Sequence, residues 1–169
     1  MVKIKFSKEN GSVIIPSKHE ADAGYDLYID AEWFKKEHGR HLKINPNETV
    51  MLSTGLRSII EKEWYAQIQE RGSTGIKGMK YGAGVIDASY RGTWNIVITN
   101  CSTRNIIIYD PKTYDPDIDS LDVYYSSSKA IAQFILLPVQ EVEIEEVEIE
   151  EVLNKPSHRG EGKLGSSGK

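Results

Sequence analysis

The run TWNIVIT, residues 93–99, excludes more folds than any other stretch of the chain. Trp94, Ile96 and Ile98 alternate with Asn95, Val97 and Thr99, so a strand turns one set to each face, whereas a helix would scatter both. The same texture recurs in KIKF, SVII, GYDLYI, ETVML, GLRSII, EWYAQIQ, GVID, RNIII and AIAQFILLPV. These are short, β-branched runs bounded by Gly, Pro, Asn or Ser, which read as strands. Many short strands with turns between them predict an all-β chain, a jelly-roll-like β-barrel or sandwich. One stretch, AEWFKKEHG, carries a helical pattern: Glu32, Lys35, Lys36 and Glu37 surround Trp33 and Phe34, and a Gly stops it. In VEIEEVEIEEV the apolar positions 142, 144, 147, 149 and 152 fall around every side of a helical wheel. That spacing predicts a bulged strand or an extended linker.

A chain of 169 residues, 39% apolar and 27% charged, suits one compact domain. Its net charge of -4 argues against a broad nucleic-acid footprint, so any anionic ligand has to meet local cations. The lone Cys101 excludes an internal disulfide framework and a thiolate metal cage, and reads as a buried structural thiol in a reducing compartment. No run approaches the roughly twenty apolar residues of a membrane helix, and no signal-peptide block opens the chain. The expectation is a soluble, cytoplasmic protein with no membrane or nucleic-acid partner. Residues 1–153 read as the β domain. Within it, 101–128 is polar, Tyr-rich and turn-rich and is predicted to be an inserted loop or hairpin. Residues 154–169 read as a flexible C-terminal arm.

Several motifs invite chemistry and most fail on context. Gly160-x-Gly162-x-x-Gly165 spells a dinucleotide fingerprint, but that motif needs a strand before it and a helix after it. His19, His38, His41 and His158 lack ligand spacing and read as surface residues. In QERGSTGIKG, Arg71 follows a strand-like run and meets Gly72, Ser73, Thr74 and Gly75, a turn rich in donors that could nest a phosphate. Asp87 stands between Ile86 and Ala88 on an otherwise apolar run. A carboxylate there must be bonded, paired or exposed in a cleft to avoid a desolvation penalty.

Taken in order, five blocks resemble the trimeric deoxyuridine triphosphatase (dUTPase) family. They are DAGYDLY at 22–28, RGS at Arg71 to Ser73, GVIDASYRG from Gly84, AIAQ at Ala130 to Gln133, and RGEGKLGSSG in the tail. LSTGL lies between the first two, as in the family. The resemblance implies a homotrimer with active sites shared by subunits and closed by the C-terminal arm. It implies hydrolysis of dUTP to dUMP and pyrophosphate with Mg²⁺ on the triphosphate. Asp87 would orient and deprotonate the water that attacks the α-phosphorus, a task suited to a carboxylate ionised at neutral pH. Tyr90 would pack on the deoxyribose and leave no space for a 2′-hydroxyl, with Gly84, Val85 and Ile86 lining the same substrate site. Arg71, Gly72 and either Ser73 or Thr74 would cradle the phosphates. Asp26 and Gln133 would hold waters of the Mg²⁺ shell or phosphate oxygens. Arg159 and the amides of Gly165, Ser166 and Ser167 would grip the outer phosphates as the arm closes.

The chain also departs from that pattern. Leu164 stands where the family has an aromatic that stacks on uracil, Gly72-Ser73 replaces the usual Ser-Gly, and Ser127-Ser128-Lys129 precedes the fourth block. The 101–128 segment exceeds the family minimum and is open to binding another protein. Two rival readings remain. One is dCTP deaminase or a bifunctional deaminase, which carries a catalytic Glu ten residues after the Asp; Val97 occupies that position here. The other is a fold-related protein-binding regulator, against which intact Asp87 and Tyr90 count.

Overall fold

The computed structural model describes residues 2–117, 120–158 and 160–162. The chain divides into two compact units, residues 1–139 and 140–169. The first unit is a jelly-roll-like assembly of short sheets. β1 (Lys5–Lys8) pairs with β5 (Leu56–Ile59), and β9 (Asn95–Asn100) lies between β4 (Thr49–Ser53) and β7 (Met79–Gly82), all antiparallel. A third sheet runs β2 (Tyr25–Leu27), β12 (Ala132–Pro138), β6 (Trp64–Glu70), β8 (Val85–Ile86). The fourth runs β11 (Val123–Ser126), β10 (Ile106–Tyr109), β3 (His41–Ile44).

The alternation in TWNIVIT is realised in β9 and the residues leading into it. Trp94, Ile96 and Ile98 are each 0% exposed while Asn95, Val97 and Thr99 are half-buried. Trp94 packs edge-to-face with Phe6 and Phe134, with ring centroids 5.3 and 5.2 Å away, and its indole N–H donates to Ser58 Oγ at 3.1 Å. The ring therefore buries its area without leaving its polar atom unpaired. AEWFKKEHG forms helix α1 (Ala31–His38), which turns Phe34 into the core. Asp30 caps it by accepting from the Glu32 and Trp33 amides at 3.0 and 3.3 Å. This buried carboxylate also accepts from Asn10 Nδ2 at 2.6 Å and Ser12 Oγ at 2.7 Å. Gly39 ends the helix at φ +66°, where a side chain would be strained.

Several expectations need correction. SVII is not a strand: Val13 alone is buried, Ile14 and Ile15 are each 45% exposed, and Pro16 withholds the next donor. Cys101 is exposed and not a buried thiol. Residues 101–128 are not simply an inserted loop or hairpin. β10 and β11 pair in parallel, a pairing that requires a crossover, and Ile106, Ile107, Ile108, Val123 and Tyr125 are buried. Strands β3, β7 and β11 carry no clear signal in the sequence, because HLKI, MKYG and VYYS offer too few apolar residues to alternate visibly. In the second unit, 141–148 is extended or irregular as expected, but the end of the Glu-rich run enters helix α3 (Ile149–Asn154). Among the described residues no helix is long and apolar enough to cross a membrane.

Strand register brings the site together. On β12, Gln133 pairs with Asp26 of β2 on one side and with Gln69 of β6 on the other. β6 then ends at Glu70, opposite Ala132, and delivers Arg71 to the same level. Three blocks far apart in the chain thus share one end of one sheet.

Candidate active site

At that end lies a cleft of about 720 Å³ lined by Asp22, Asp26, Arg71, Gly72, Ser73 and Gln133, with Lys18 and His19 at its side. Arg71 is the organising cation. Its Nε and Nη2 donate to the two oxygens of Asp26 at 2.8 and 3.2 Å, and its Nη1 donates to the Ala130 carbonyl at 3.1 Å. Such a two-point fork fixes orientation as well as charge. Partial burial pulls the Arg71 pKa down, but the Asp26 carboxylate outweighs it and the net shift is upward. The guanidinium stays charged at any working pH.

After Arg71 the chain makes the short turn α2 (Gly72–Gly75). Thr74 Oγ1 accepts from the Arg71 amide at 3.2 Å and donates to the Arg71 carbonyl at 3.1 Å, and the residue is 0% exposed. Its hydroxyl is used within the turn, so Thr74 does not reach the cleft. Ser73 lines it, with Arg71 Nη1 at 3.4 Å from its Oγ.

Gln133 is held by a tight contact and a hydrogen bond. Its Nε2 donates to the Glu70 carbonyl at 2.7 Å, while its side chain covers Gly24 so closely that a Cβ there would lie 2.1 Å from Oε1. The glycine of DAGYDLY is thus needed for space. The AIAQ backbone is pinned from outside the motif as well: Tyr125 Oη donates to the Ala130 carbonyl at 2.6 Å and Tyr81 Oη to that of Ile131 at 2.5 Å. Burial raises the Tyr81 pKa, so this hydroxyl remains a donor.

Asp87 and Tyr90 are elsewhere. β8 forms the other edge of β6, pairing Ile86 with Ala66, and the chain turns immediately after it. There Val85, Ile86, Asp87, Tyr90, Asn95 and Val97 line a separate pocket of about 240 Å³ that shares no residue with the cleft. Asp87 is exposed and also borders a neighbouring hollow of about 470 Å³. Gly84 allows the close approach that starts this arm, since a Cβ would lie 2.8 Å from the Ile68 carbonyl oxygen. The Tyr90 ring lies against Gly92, where a Cβ would fall 2.3 Å from Oη, and its hydroxyl donates to the Thr93 carbonyl at 3.1 Å. Among the described residues Asp87 is the only carboxylate lining the 240 Å³ pocket, and Val97 lines it without offering a polar side chain.

Of the sequence-derived site residues, Asp26, Arg71, Gly72, Ser73 and Gln133 are brought together, and Val85, Ile86, Asp87 and Tyr90 form a second group. Thr74 and Gly84 support the walls and do not line them. Arg159, Leu164, Gly165, Ser166 and Ser167 lie outside the described residues. Sequence reasoning missed Lys18, His19 and Asp22, which the isolated bridge between Ser17 and Asp26 folds into the cleft. It also missed Tyr81 and Tyr125. No local spacing announces them; only the sheet pairing does. Among the described residues no group of three or more His, Cys, Asp or Glu is placed to hold a metal directly.

A family model described as dUTPase matches residues 10–112, more than half of the chain. A deoxyuridine 5'-triphosphate nucleotidohydrolase of Clostridioides difficile is 30% identical over 99% of this chain and 99% of its own length. One from Candida albicans is 32% identical over 92% of this chain and 81% of its own. Among solved structures, the Staphylococcus bacteriophage 80alpha dUTPase with dUpNHpp superposes with a TM-score of 0.72 at 22% identity, covering 99% of each chain. The native EIAV dUTPase superposes at 0.62 with 16% identity, over 87% of this chain and 98% of its own. On sequence and fold together, the chain belongs to the dUTPase family.

Proposed function

We propose that the chain is a dUTP diphosphatase that hydrolyses dUTP to dUMP and pyrophosphate. The carrying observation is the division of labour between two pockets: a cleft organised by a guanidinium for anionic oxygens, and a separate pocket with one carboxylate beside an aromatic ring. Asp87 accepts a proton from water as its oxygen bonds to the α-phosphorus. The bond from that phosphorus to the bridging oxygen breaks, and pyrophosphate leaves. Tyr90 faces the deoxyribose, and Val85 and Ile86 wall the nucleoside. Arg71, Gly72 and Ser73 hold phosphate oxygens. Ser73 is preferred over Thr74 because the Thr74 hydroxyl is used within its own turn.

Because among the described residues the two groups share no lining residue, a complete site is best built from more than one copy, which supports a homotrimer with shared sites. Arg159 and the Gly165, Ser166 and Ser167 amides keep the phosphate-gripping role that the family resemblance gives them. Leu164 would then meet the base without stacking.

The residues fit a hydrated Mg²⁺. Asp22, Asp26 and the Gln133 amide offer scattered oxygens and no direct cage, as suits a small cation that keeps its waters and binds substrate phosphates. When bound, the ion would neutralise charge on the triphosphate. Asp26 and Gln133 would hold its waters. Deamination of dCTP is disfavoured because Val97 lines the pocket where a second proton-shuttling carboxylate would be needed. The test is pyrophosphate release from dUTP, UTP, dTTP and dCTP with Mg²⁺, and ammonia release from dCTP. Release from dUTP alone is expected; equal turnover of UTP, or ammonia from dCTP, would overturn the reading.

A further inference from the structure

The loop from Asp87 to Trp94 carries both residues assigned to the nucleoside and the water, and its rear face is tied to side chains from a distant sheet. Arg57 of β5 donates from Nε and Nη2 to one oxygen of Glu9 at 3.1 and 2.8 Å, and from Nη1 to the Arg91 carbonyl at 3.0 Å. The same Glu9 oxygen accepts the Thr93 hydroxyl. Thr93 supplies the carbonyl that receives the Tyr90 hydroxyl, and Arg91 Nη1 donates to the carbonyls of Ala88 and Tyr90 at 2.6 and 2.9 Å. Glu9 itself is anchored, its amide donating to the Gly55 carbonyl at 2.9 Å. The attachment points of the Tyr90 ring, its own backbone and Thr93, are therefore both referred to Arg57 of β5 and to Glu9, the residue after β1.

Stability is not a sufficient reason for this arrangement. The Arg57 side chain is 49% exposed and that of Glu9 is 34% exposed, and exposed pairs of this kind contribute little to folding. Neither residue lines the Tyr90 pocket. What the planar fork provides is direction, since it meets a carboxylate and a carbonyl at fixed angles.

We propose that Glu9 and Arg57 are positioning residues that set the tilt of the Tyr90 ring, and through it the discrimination between deoxyribose and ribose. The proposal rests on the reading of Tyr90 as the sugar-facing residue. It is tested in the full-length chain with Arg57→Ala and Glu9→Gln, measuring kcat/KM for dUTP and UTP alongside thermal melting. The dUTP-to-UTP ratio is expected to fall roughly tenfold, inside the ~100-fold that an ångström of misplacement can cost. Melting should stay close to that of the parent, and Arg57→Lys should restore part of the ratio. Should Arg57→Ala fail to fold, Glu9→Gln, which keeps the shape of the side chain outside the Tyr90 pocket and removes its charge, is expected to lower the same ratio. A parallel fall for both nucleotides with the ratio kept would mark the brace as structural only and overturn the proposal. Tyr90→Ala separates the two readings. Loss of discrimination in Tyr90→Ala with full discrimination in Arg57→Ala defeats the brace alone, whereas full discrimination in Tyr90→Ala removes the sugar-facing role and the brace with it.

Discussion

Replacing Gly24 by alanine perturbs the phosphate cleft at one defined contact. The new Cβ would lie 2.1 Å from Gln133 Oε1 and 2.7 Å from its Cδ. Regaining the ~3.5 Å optimal for non-bonded heavy atoms requires a retreat of about 1.4 Å. The backbone cannot supply it, because Gln133 is paired to Asp26 and Gln69 on both sides. The side chain must swing instead, breaking its 2.7 Å bond to the Glu70 carbonyl. Losing that bond costs about 0.5–1.5 kcal/mol, and an off-rotamer side chain about 0.5–1.5 kcal/mol more. The sum, about 1–3 kcal/mol, is the expected loss of stability in urea. If substrate binding needs Gln133 in its present place, the same energy must be supplied in the transition state, lowering kcat/KM for dUTP by about 5- to 150-fold. The double variant Gly24→Ala, Gln133→Ala relieves the strained rotamer but still lacks the bond to the Glu70 carbonyl, so it should regain about 0.5–1.5 kcal/mol and none of the activity. Parental kcat/KM in Gly24→Ala, with Gln133 seen displaced in a crystal, would refute the assignment of Gln133 to the substrate.

His38 gives stability a pH dependence. Its ring packs against Trp33 and Phe34 with Nε2 buried and without a hydrogen-bond partner among the described residues, and desolvation lowers its pKa despite the opposing pull of Glu37. The unfolded chain then binds the proton more readily, so stability is full above the ordinary histidine value of 6.5 and falls as pH drops through the lowered folded value. Urea titrations across that range should show the slope, and His38→Gln should flatten it; an unchanged slope would rule out His38 as its source. Asn100→Ala should cost about 2–4 kcal/mol, because its Nδ2 satisfies the Ile44 and Arg104 carbonyls and its Oδ1 accepts twice from Ser102; a loss under about 1 kcal/mol by urea melts would contradict this. Deleting residues 157–169 should lower dUTP turnover by about 100-fold if the arm positions the phosphates. Undiminished turnover would remove that role.

How far the sequence carries depends on whether the deciding contacts are local. Trp94, Ile96 and Ile98 announce β9 because one face of a single strand is buried completely. β11 announces nothing, since VYYS finds its partner only across a parallel crossover and has few apolar residues of its own. Exposed Ile14 and Ile15 mislead for the opposite reason, as hydrophobic residues at positions the chain does not bury. In the site, the blocks around Asp26, Arg71, Asp87 and Gln133 can be read from residue type and order. Their placement cannot. Thr74 is spent on its own turn, a consequence of how Arg71 to Gly75 coil. The separation of Asp87 from Arg71 follows from antiparallel β8 pairing Ile86 with Ala66, so that Asp87 heads toward the start of β6 while Arg71 leaves its end, a matter of register that no single block contains.

The role of Asp87 is tested most directly by Asp87→Asn, measured as single-turnover pyrophosphate release from dUTP beside equilibrium binding of a non-hydrolysable dUTP analogue. Loss of the base should slow release by about 10²- to 10⁴-fold while analogue affinity stays within a few-fold of the parent. Release at the parental rate, with the analogue still bound, would contradict the assignment of Asp87 as the group that takes the proton from water.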